Sequence, residues 1–300
     1  WGLGNQGKDG AAERQGFDLF YGYYNQWHAH TYYTHLFRNS KKVELDGRYT
    51  HHAIFDETIK FIKNNKDKPF FLYCPWTPPH AAYQIPEDEP AWKMYKDKPW
   101  PHDARVAAAM DTMMDRHVGE INALLKKLGI YQNTLMFFTS DNGAAKRFDG
   151  IHNSSGVMQG KKRSLNEGGI RVPMVVRWPG KIKAGRVSSH PWYFPDVMPT
   201  FAEIGGVSTE VPEDIDGISI LPTLLDEGEQ KLHEYMFWHY GVRAVRSGKW
   251  KGIGKGGHLY LYDLSKDIEE KNDLSSKHPE IAARMKLSLI HISEPTRPSV

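Results

Sequence analysis

Three short segments carry residue types from which a charged reaction centre could be built. An apolar run at 134–138 ends in Thr139-Ser140-Asp141-Asn142-Gly143. The carboxylate of Asp141 and the amide oxygen of Asn142 are hard donors that suit calcium or magnesium, and Gly143 permits a sharp turn. Some twenty residues on, the chain reads Lys161-Lys162-Arg163-Ser164-Leu165-Asn166-Glu167-Gly168-Gly169-Ile170-Arg171. A lysine there can face an anion held at the cation. Asp, Asn and Gly also favour turns for purely local reasons, so a plain strand-ending turn stays open on these residues alone. The third segment is a second apolar run, 70–74, followed by Pro75-Trp76-Thr77-Pro78-Pro79-His80. An imidazole at the end of a strand can serve as a general acid near neutral pH. The chain has 15 histidines, so most are ordinary. His28 and His30 lie among tyrosines and tryptophans and could line a substrate mouth, or equally be structural. His152 is open in the same way.

These segments need a scaffold that holds them at strand ends. Apolar residues among polar ones at 50–65 predict a helix. Between 103 and 128, Val106, Met110, Met113, Met114, Val118, Ile121, Leu124, Leu125 and Leu128 recur at three or four, a long amphipathic helix stopped by Gly129. The runs at 70–74, 134–139 and 174–177 read as short strands, the first buried and parallel. Residues 196–204 read as a helix closed by Gly205-Gly206. The order strand, helix, strand predicts an α/β fold with a mostly parallel central sheet flanked by helices, whose ligands gather at the carboxyl ends of the strands. A polar break at 226–231 separates short runs at 235–240, 243–246, 250–253 and 259–264, a small antiparallel sheet, and then a helix at 279–286. The expected division is therefore 1–230 for the α/β domain and 231–286 for a small C-terminal subdomain. Residues 287–300 share no pattern with the rest and read as a non-native tail. The glycine-rich loop at 252–257 lacks the Lys-Ser/Thr ending of a phosphate cradle and reads as a hairpin.

Three hundred residues suffice for this plan. The net charge of +3, from 39 basic and 36 acidic residues, is too balanced to point to nucleic acid. No apolar stretch is long enough to span a membrane. Cys74 is the one cysteine, so no internal disulfide forms, and its apolar surroundings read as core.

Taken together, the motifs resemble one family. Thr139-Ser140-Asp141-Asn142-Gly143, then Lys162 and Glu167-Gly168-Gly169-Ile170-Arg171-Val172-Pro173, are similar to the signature of the type I sulfatases of the alkaline-phosphatase superfamily. So are Phe71-Leu72-Tyr73-Cys74 leading to Thr77-Pro78-Pro79-His80, the segments Trp1-Gly2-Leu3-Gly4 and Asn25-Gln26-Trp27-His28-Ala29-His30, and Asp216-Gly217-Ile218-Ser219 with Leu221-Pro222. Leu261-Tyr262-Asp263-Leu264 with Glu269 and Asn272 resembles the family's C-terminal ending. The likeness runs over residues 1–285.

The resemblance implies an alkaline-phosphatase-like fold and a sulfuric ester hydrolase acting on a sulfated carbohydrate or an aryl or alkyl sulfate. It implies calcium or magnesium at Asp141 and Asn142, sulfate contact at Lys162 (five residues before Glu167) and leaving-group protonation by His80. Glu167, Gly168, Gly169 and Arg171 are expected to hold Lys162 in place, with Arg171 paired to a carboxylate. Gln159 stands where many relatives carry arginine. The family's nucleophile is a formylglycine made within a C/S-x-P-x-R motif. Cys74 does not match that motif, and residues 293–297 resemble it only in the doubtful tail. Nucleophile and paired aspartates are therefore expected upstream of Trp1, and this chain alone is expected to be inactive. A family histidine is replaced by Gly2. Exported location follows from the family, as do two competing readings: a phosphodiesterase or phosphonate hydrolase of the same superfamily, and a non-catalytic relative that binds sulfated glycans.

Overall fold

The aromatic, glycine-rich start of the chain forms short elements rather than long ones. β1 (Tyr21–Gly22), β2 (Leu36–Arg38) and β3 (Lys41–Val43) pair as a three-stranded antiparallel sheet. Between β1 and β2 lies α1 (Gln26–Ala29), capped by Asn25, whose side chain accepts the His28 N–H at 2.9 Å. The computed structural model describes residues 2–80 and 82–291. Trp1, and the part of the expected tail at 292–300 with its 293–297 likeness, lie outside the described residues. Two compact units divide in sequence between Thr134 and Leu135.

In the first unit the two predicted helices form as α2 (Thr50–Asn65) and α4 (His102–Lys127), with α3 (Pro90–Tyr95) between them in sequence. The apolar spacing of α4 buries Val106, Met110, Met113, Ile121 and Leu125, and Gly129 ends it with φ 75°, a conformation that costs a glycine little. Tyr32, Tyr49 and Ala91 complete the core around Met110 and Met113. Large apolar side chains of this core such as Met110 and Met113 each contribute about 2 kcal/mol by leaving water.

The run at 70–74 departs from expectation. It belongs to none of the three sheets among the described residues, and Phe71 and Tyr73 are each 58% exposed. Its residues alternate in burial, so only the face carrying Phe70, Leu72 and Cys74 is covered. An apolar run buries both faces only where layers cover both, and here one face is open. Burial pushes the Cys74 thiol up to about 11, consistent with an unreactive core cysteine.

The second unit opens with β4 (Met136–Thr139), which pairs with β5 (Met174–Arg177) in the register Met136 to Arg177 and Thr139 to Met174. This pairing is antiparallel. All described strand pairs are antiparallel, so the described strands do not make the expected parallel sheet. The chain between β4 and β5 returns through a loop and the single turn of α5 (Glu167–Ile170), and not through a crossover helix of the length that parallel pairing needs. α6 (Val197–Gly205) and α7 (Leu221–Leu225) follow. The buried Asp196 carboxylate accepts N–H groups from Tyr193 at 3.0 Å and Ile218 at 2.8 Å and contacts His233 Nε2 at 2.8 Å. It thereby fixes the Asp216–Ser219 stretch noted in the sequence.

The predicted C-terminal antiparallel sheet forms as β6 (Met236–Tyr240), β7 (Val242–Ser247), β8 (Trp250–Lys255) and β9 (His258–Asp263), in that spatial order. The predicted glycine hairpin joins β8 to β9 with positive φ at Gly256 and Gly257. Both faces of this sheet are covered. Val245, Leu259 and Leu261 pack against Met285 and Leu289 of α8 (Pro279–His291), so the helix runs past the predicted end at 286. On the other face Ala244, Ile253 and Tyr262 pack against Leu165 and Ile170, beside the lysine-bearing loop.

Candidate active site

In the second unit the structure brings two predicted segments together. β4 carries the chain to Asp141; two backbone hydrogen bonds then lock the following turn to the loop that carries Lys162, and a third closes that loop on itself. Gly143 N–H donates to Gly169 O at 2.9 Å, Lys162 N–H to Ala144 O at 2.9 Å, and Gly168 N–H to Gln159 O at 2.7 Å. This closeness explains the glycines. A Cβ on Gly143 would stand 2.0 Å from Gly168 O, and one on Gly169 would stand 2.1 Å from Ser164 O and 2.5 Å from Lys161 O. The segments that carry Asp141–Asn142 and Lys162 are thus neighbours through their backbones.

The two lysines of the basic cluster have different tasks. Lys161 forms an ion pair with Asp149. Lys162 is half-buried and has no ion pair among the described residues, which leaves its ammonium for an anion. Asp141 is exposed. Asn142 donates its amide N–H to Gly143 O at 3.2 Å, so its side-chain oxygen is the group presented as an acceptor. Carboxylate and amide oxygens fit a hard divalent cation, and they supply two of the six or more oxygens that calcium takes. Among the described residues no three His, Cys, Asp or Glu side chains gather into a metal site of their own.

The Glu167 turn, expected to hold Lys162 in place, is itself tied by ion pairs. Glu167 is buried, and its carboxylate accepts Arg171 Nε at 2.6 Å and Lys251 Nζ at 2.7 Å. Burial alone would raise this carboxyl, but Lys251 and Arg171 outweigh burial and hold it below the usual carboxylate range. Gln159, the departure from the family pattern, donates its side-chain N–H to Glu270 O at 3.0 Å. Sequence reasoning missed Lys251 and Glu270. The only signal was a lysine inside the otherwise apolar alternation of 250–253.

His80 belongs to the first unit. Thr77 O accepts its backbone N–H at 3.0 Å, closing the turn that contains the cis Pro78-Pro79 bond, and Tyr32 Oη donates to its carbonyl at 2.9 Å. The His80 side chain is exposed. Its ring stacks on His30, with centroids 4.5 Å apart and planes 13° from parallel, and the carbonyl of His30 accepts the Ala82 N–H at 2.9 Å. Of the histidines left open above, His30 therefore touches the candidate acid. His28 contacts Thr34 Oγ1 at 3.2 Å and packs near His35. His152 packs on Phe148.

Comparison with known proteins agrees with this architecture. The sulfatase profile matches residues 1–207, and that of the C-terminal region of N-sulphoglucosamine sulphohydrolase matches 159–294. Mouse (Mus musculus) steryl-sulfatase is 33% identical over 204 residues, 65% of this chain and 30% of the relative. The N-acetylgalactosamine-6-O-sulfatase of Bacteroides thetaiotaomicron is 29% identical over 263 residues, 77% of this chain and 48% of the relative. The chain thus spans less than half the length of either. The crystal structure of Ps i-CgsB in complex with k-i-k-neocarrahexaose superimposes with a TM-score of 0.84 at 28% identity, over 96% of this chain and 69% of that one. With its profile match over more than half the sequence, the chain belongs to the sulfatase family.

Proposed function

We propose that the polypeptide carrying this chain is a sulfuric ester hydrolase, cleaving sulfate from a sulfated carbohydrate or an aryl or alkyl sulfate. The observation that carries the reading is the hydrogen-bonded junction of the Asp141–Asn142 turn with the Lys162 loop. It sets hard oxygen donors beside a lysine that has no ion pair among the described residues, an arrangement suited to a tetrahedral oxyanion. In this proposal Asp141 and Asn142 are two ligands of calcium or magnesium. The bound cation would draw charge from the sulfate oxygens. Lys162 neutralises an oxygen whose charge persists through S–O cleavage. His80 gives its proton to the departing alkoxide oxygen as the S–O bond breaks. A formylglycine nucleophile, the paired aspartates, a wider parallel sheet and export from the cytoplasm are proposed from family membership. Among the described residues no helix is long and apolar enough to cross a membrane.

A sugar sulfate is the favoured substrate. The N-acetylgalactosamine-6-O-sulfatase relative and the oligosaccharide in the Ps i-CgsB complex support this choice. The test is turnover by the complete gene product with calcium, on an aryl sulfate, a matched aryl phosphodiester and N-acetylgalactosamine 6-sulfate. Release of sulfate from either ester supports the reading. Faster cleavage of the phosphodiester would replace it with a phosphoryl hydrolase, and binding of the sulfated sugar without turnover would replace it with a binding protein.

A further inference from the structure

Lys251 of β8 is fully buried, 0% exposed, yet it carries an ammonium and has no role in the chemistry above. Its Nζ lies 2.7 Å from Glu167 Oε1 and 2.9 Å from Glu270 Oε1. The other oxygen of Glu270 accepts the backbone N–H of Glu167 at 2.7 Å. With Arg171 on the far oxygen of Glu167, two cations and two carboxylates meet directly, and Arg246 of β7, in register with Lys251, adds a positive charge near Glu167. Burying this cluster has a desolvation cost that apolar side chains of the same volume would avoid. Glu270 also adopts φ 54°, a left-handed backbone unfavourable for a glutamate. Costs of this kind persist where the surrounding structure needs the resulting geometry.

That geometry points at Lys162. The Glu270 carboxylate fixes the first N–H of α5, and Lys251 fixes the Glu167 side chain. The next residues of that turn, Gly168 and Gly169, are the ones packed on Gln159 O, Gly160 O, Lys161 O and Ser164 O. Gln159 is tied to Glu270 as well. Both ends of the loop holding Lys162 are therefore anchored to one buried ion cluster. The cluster stands on the face of the C-terminal sheet that also packs Leu165 and Ile170.

We propose that Lys251, clamped between Glu167 and Glu270, is a positioning residue for Lys162, so that the C-terminal sheet sets the geometry of the anion site. This inference rests on the sulfatase reading for its kinetic effect but not for its structural one. The experiment therefore has two readouts on the complete gene product. Hydrogen–deuterium exchange of the 159–170 segment is measured in Lys251→Met and in Glu270→Gln. The second variant keeps an acceptor for the Glu167 N–H and serves where the first does not fold. The expected result is faster exchange of 159–170 with α4 unchanged. Unchanged exchange in a folded variant overturns the proposal, whether or not the wild type hydrolyses a sulfate ester. If it does, a double-mutant cycle follows. Each variant is expected to lower kcat/KM about tenfold in the wild-type background and less than about twofold in Lys162→Ala, because it acts through Lys162. Equal losses in both backgrounds overturn it and assign the cluster to stability alone. Faster exchange in the variants of a protein whose wild type turns over no sulfate ester would leave the positioning role standing and remove the sulfatase reading.

Discussion

The imidazoles of His30 and His80 are stacked, 4.5 Å between centroids and 13° from parallel. Face-to-face contact with His30 restricts the plane of the His80 ring. Replacing His80 with Asn is expected to lower kcat about 10²–10⁴-fold on an alkyl sulfate, whose leaving oxygen needs a proton. The loss should be far smaller on nitrophenyl sulfate, which leaves unaided. His30→Ala should show the same leaving-group dependence with a smaller loss. Equal loss on both esters would remove His80 from the acid role.

Lys162 and Lys161 are adjacent but differ in partner, since Lys161 is tied to Asp149. Lys162→Ala should lower kcat/KM about 10²–10³-fold, the cost of losing one aligned charge at an oxyanion. Lys161→Ala should cost less than about threefold, as surface ion pairs are worth little. Parallel kinetics of the two variants check the assignment.

The glycine at 143 gives a structural prediction independent of activity. An added methyl would enter the van der Waals space of Gly168 O, 2.0 Å away. Gly143→Ala must push the turn off the Lys162 loop and is expected to destabilise the second unit by about 1–3 kcal/mol. Chemical denaturation followed by exchange at 135–175 measures it.

Calcium binding offers a further readout besides turnover. If Asp141 and Asn142 are two of its ligands, saturating calcium should raise the unfolding temperature of the complete gene product, since a ligand that binds only the folded state stabilises it. Asp141→Asn, which removes a full charge from the ligand set, should abolish most of that rise. A rise of the same size in the variant would place the ion elsewhere.

Periodicity made much of this scaffold legible. The apolar spacing at 50–65 and 103–128 gives α2 and α4 because a helix must bury one face. Gly256-Gly257 announces its hairpin by the backbone it needs. The catalytic candidates were legible through residue type and family motif together. What the sequence hid depends on partners distant in the chain. Lys251 looks like a polar interruption in β8 until Glu167 and Glu270 are seen on either side, 84 residues before it in one case. The run at 70–74 shows its apolar content but not which of its faces a neighbour covers. The direction of β5 against β4 is set by the returning loop between them, and nothing in the strands' own residues records it.

A last hidden pair concerns acid stability. His51 and His117 are buried on α2 and α4, with His51 Nε2 3.1 Å from His117 Nδ1 and the His117 ring stacked on Phe55 at 3.8 Å. Burial, then the positive charge of Arg116, lowers His117 from 6.5 to about 4. Burial, then His117, takes His51 well below its ordinary value. More than about one pH unit above the unfolded value of 6.5 neither ring binds a proton in the folded or the unfolded chain, so the pair adds no pH dependence there. As pH falls from 6.5 towards 4, the unfolded chain takes up protons that the folded chain refuses, and stability falls. The loss is on the order of 2 kcal/mol after allowance for solvent screening. Exchange of the α2 and α4 amides should therefore accelerate over this window, beyond the intrinsic pH effect on exchange. The double variant His51→Phe with His117→Leu should remove that acceleration, because an apolar contact has no proton to refuse. An unchanged slope in the double variant would assign the acid sensitivity of this unit to other groups, the buried Glu89 that binds His52 and Arg116 being the nearest.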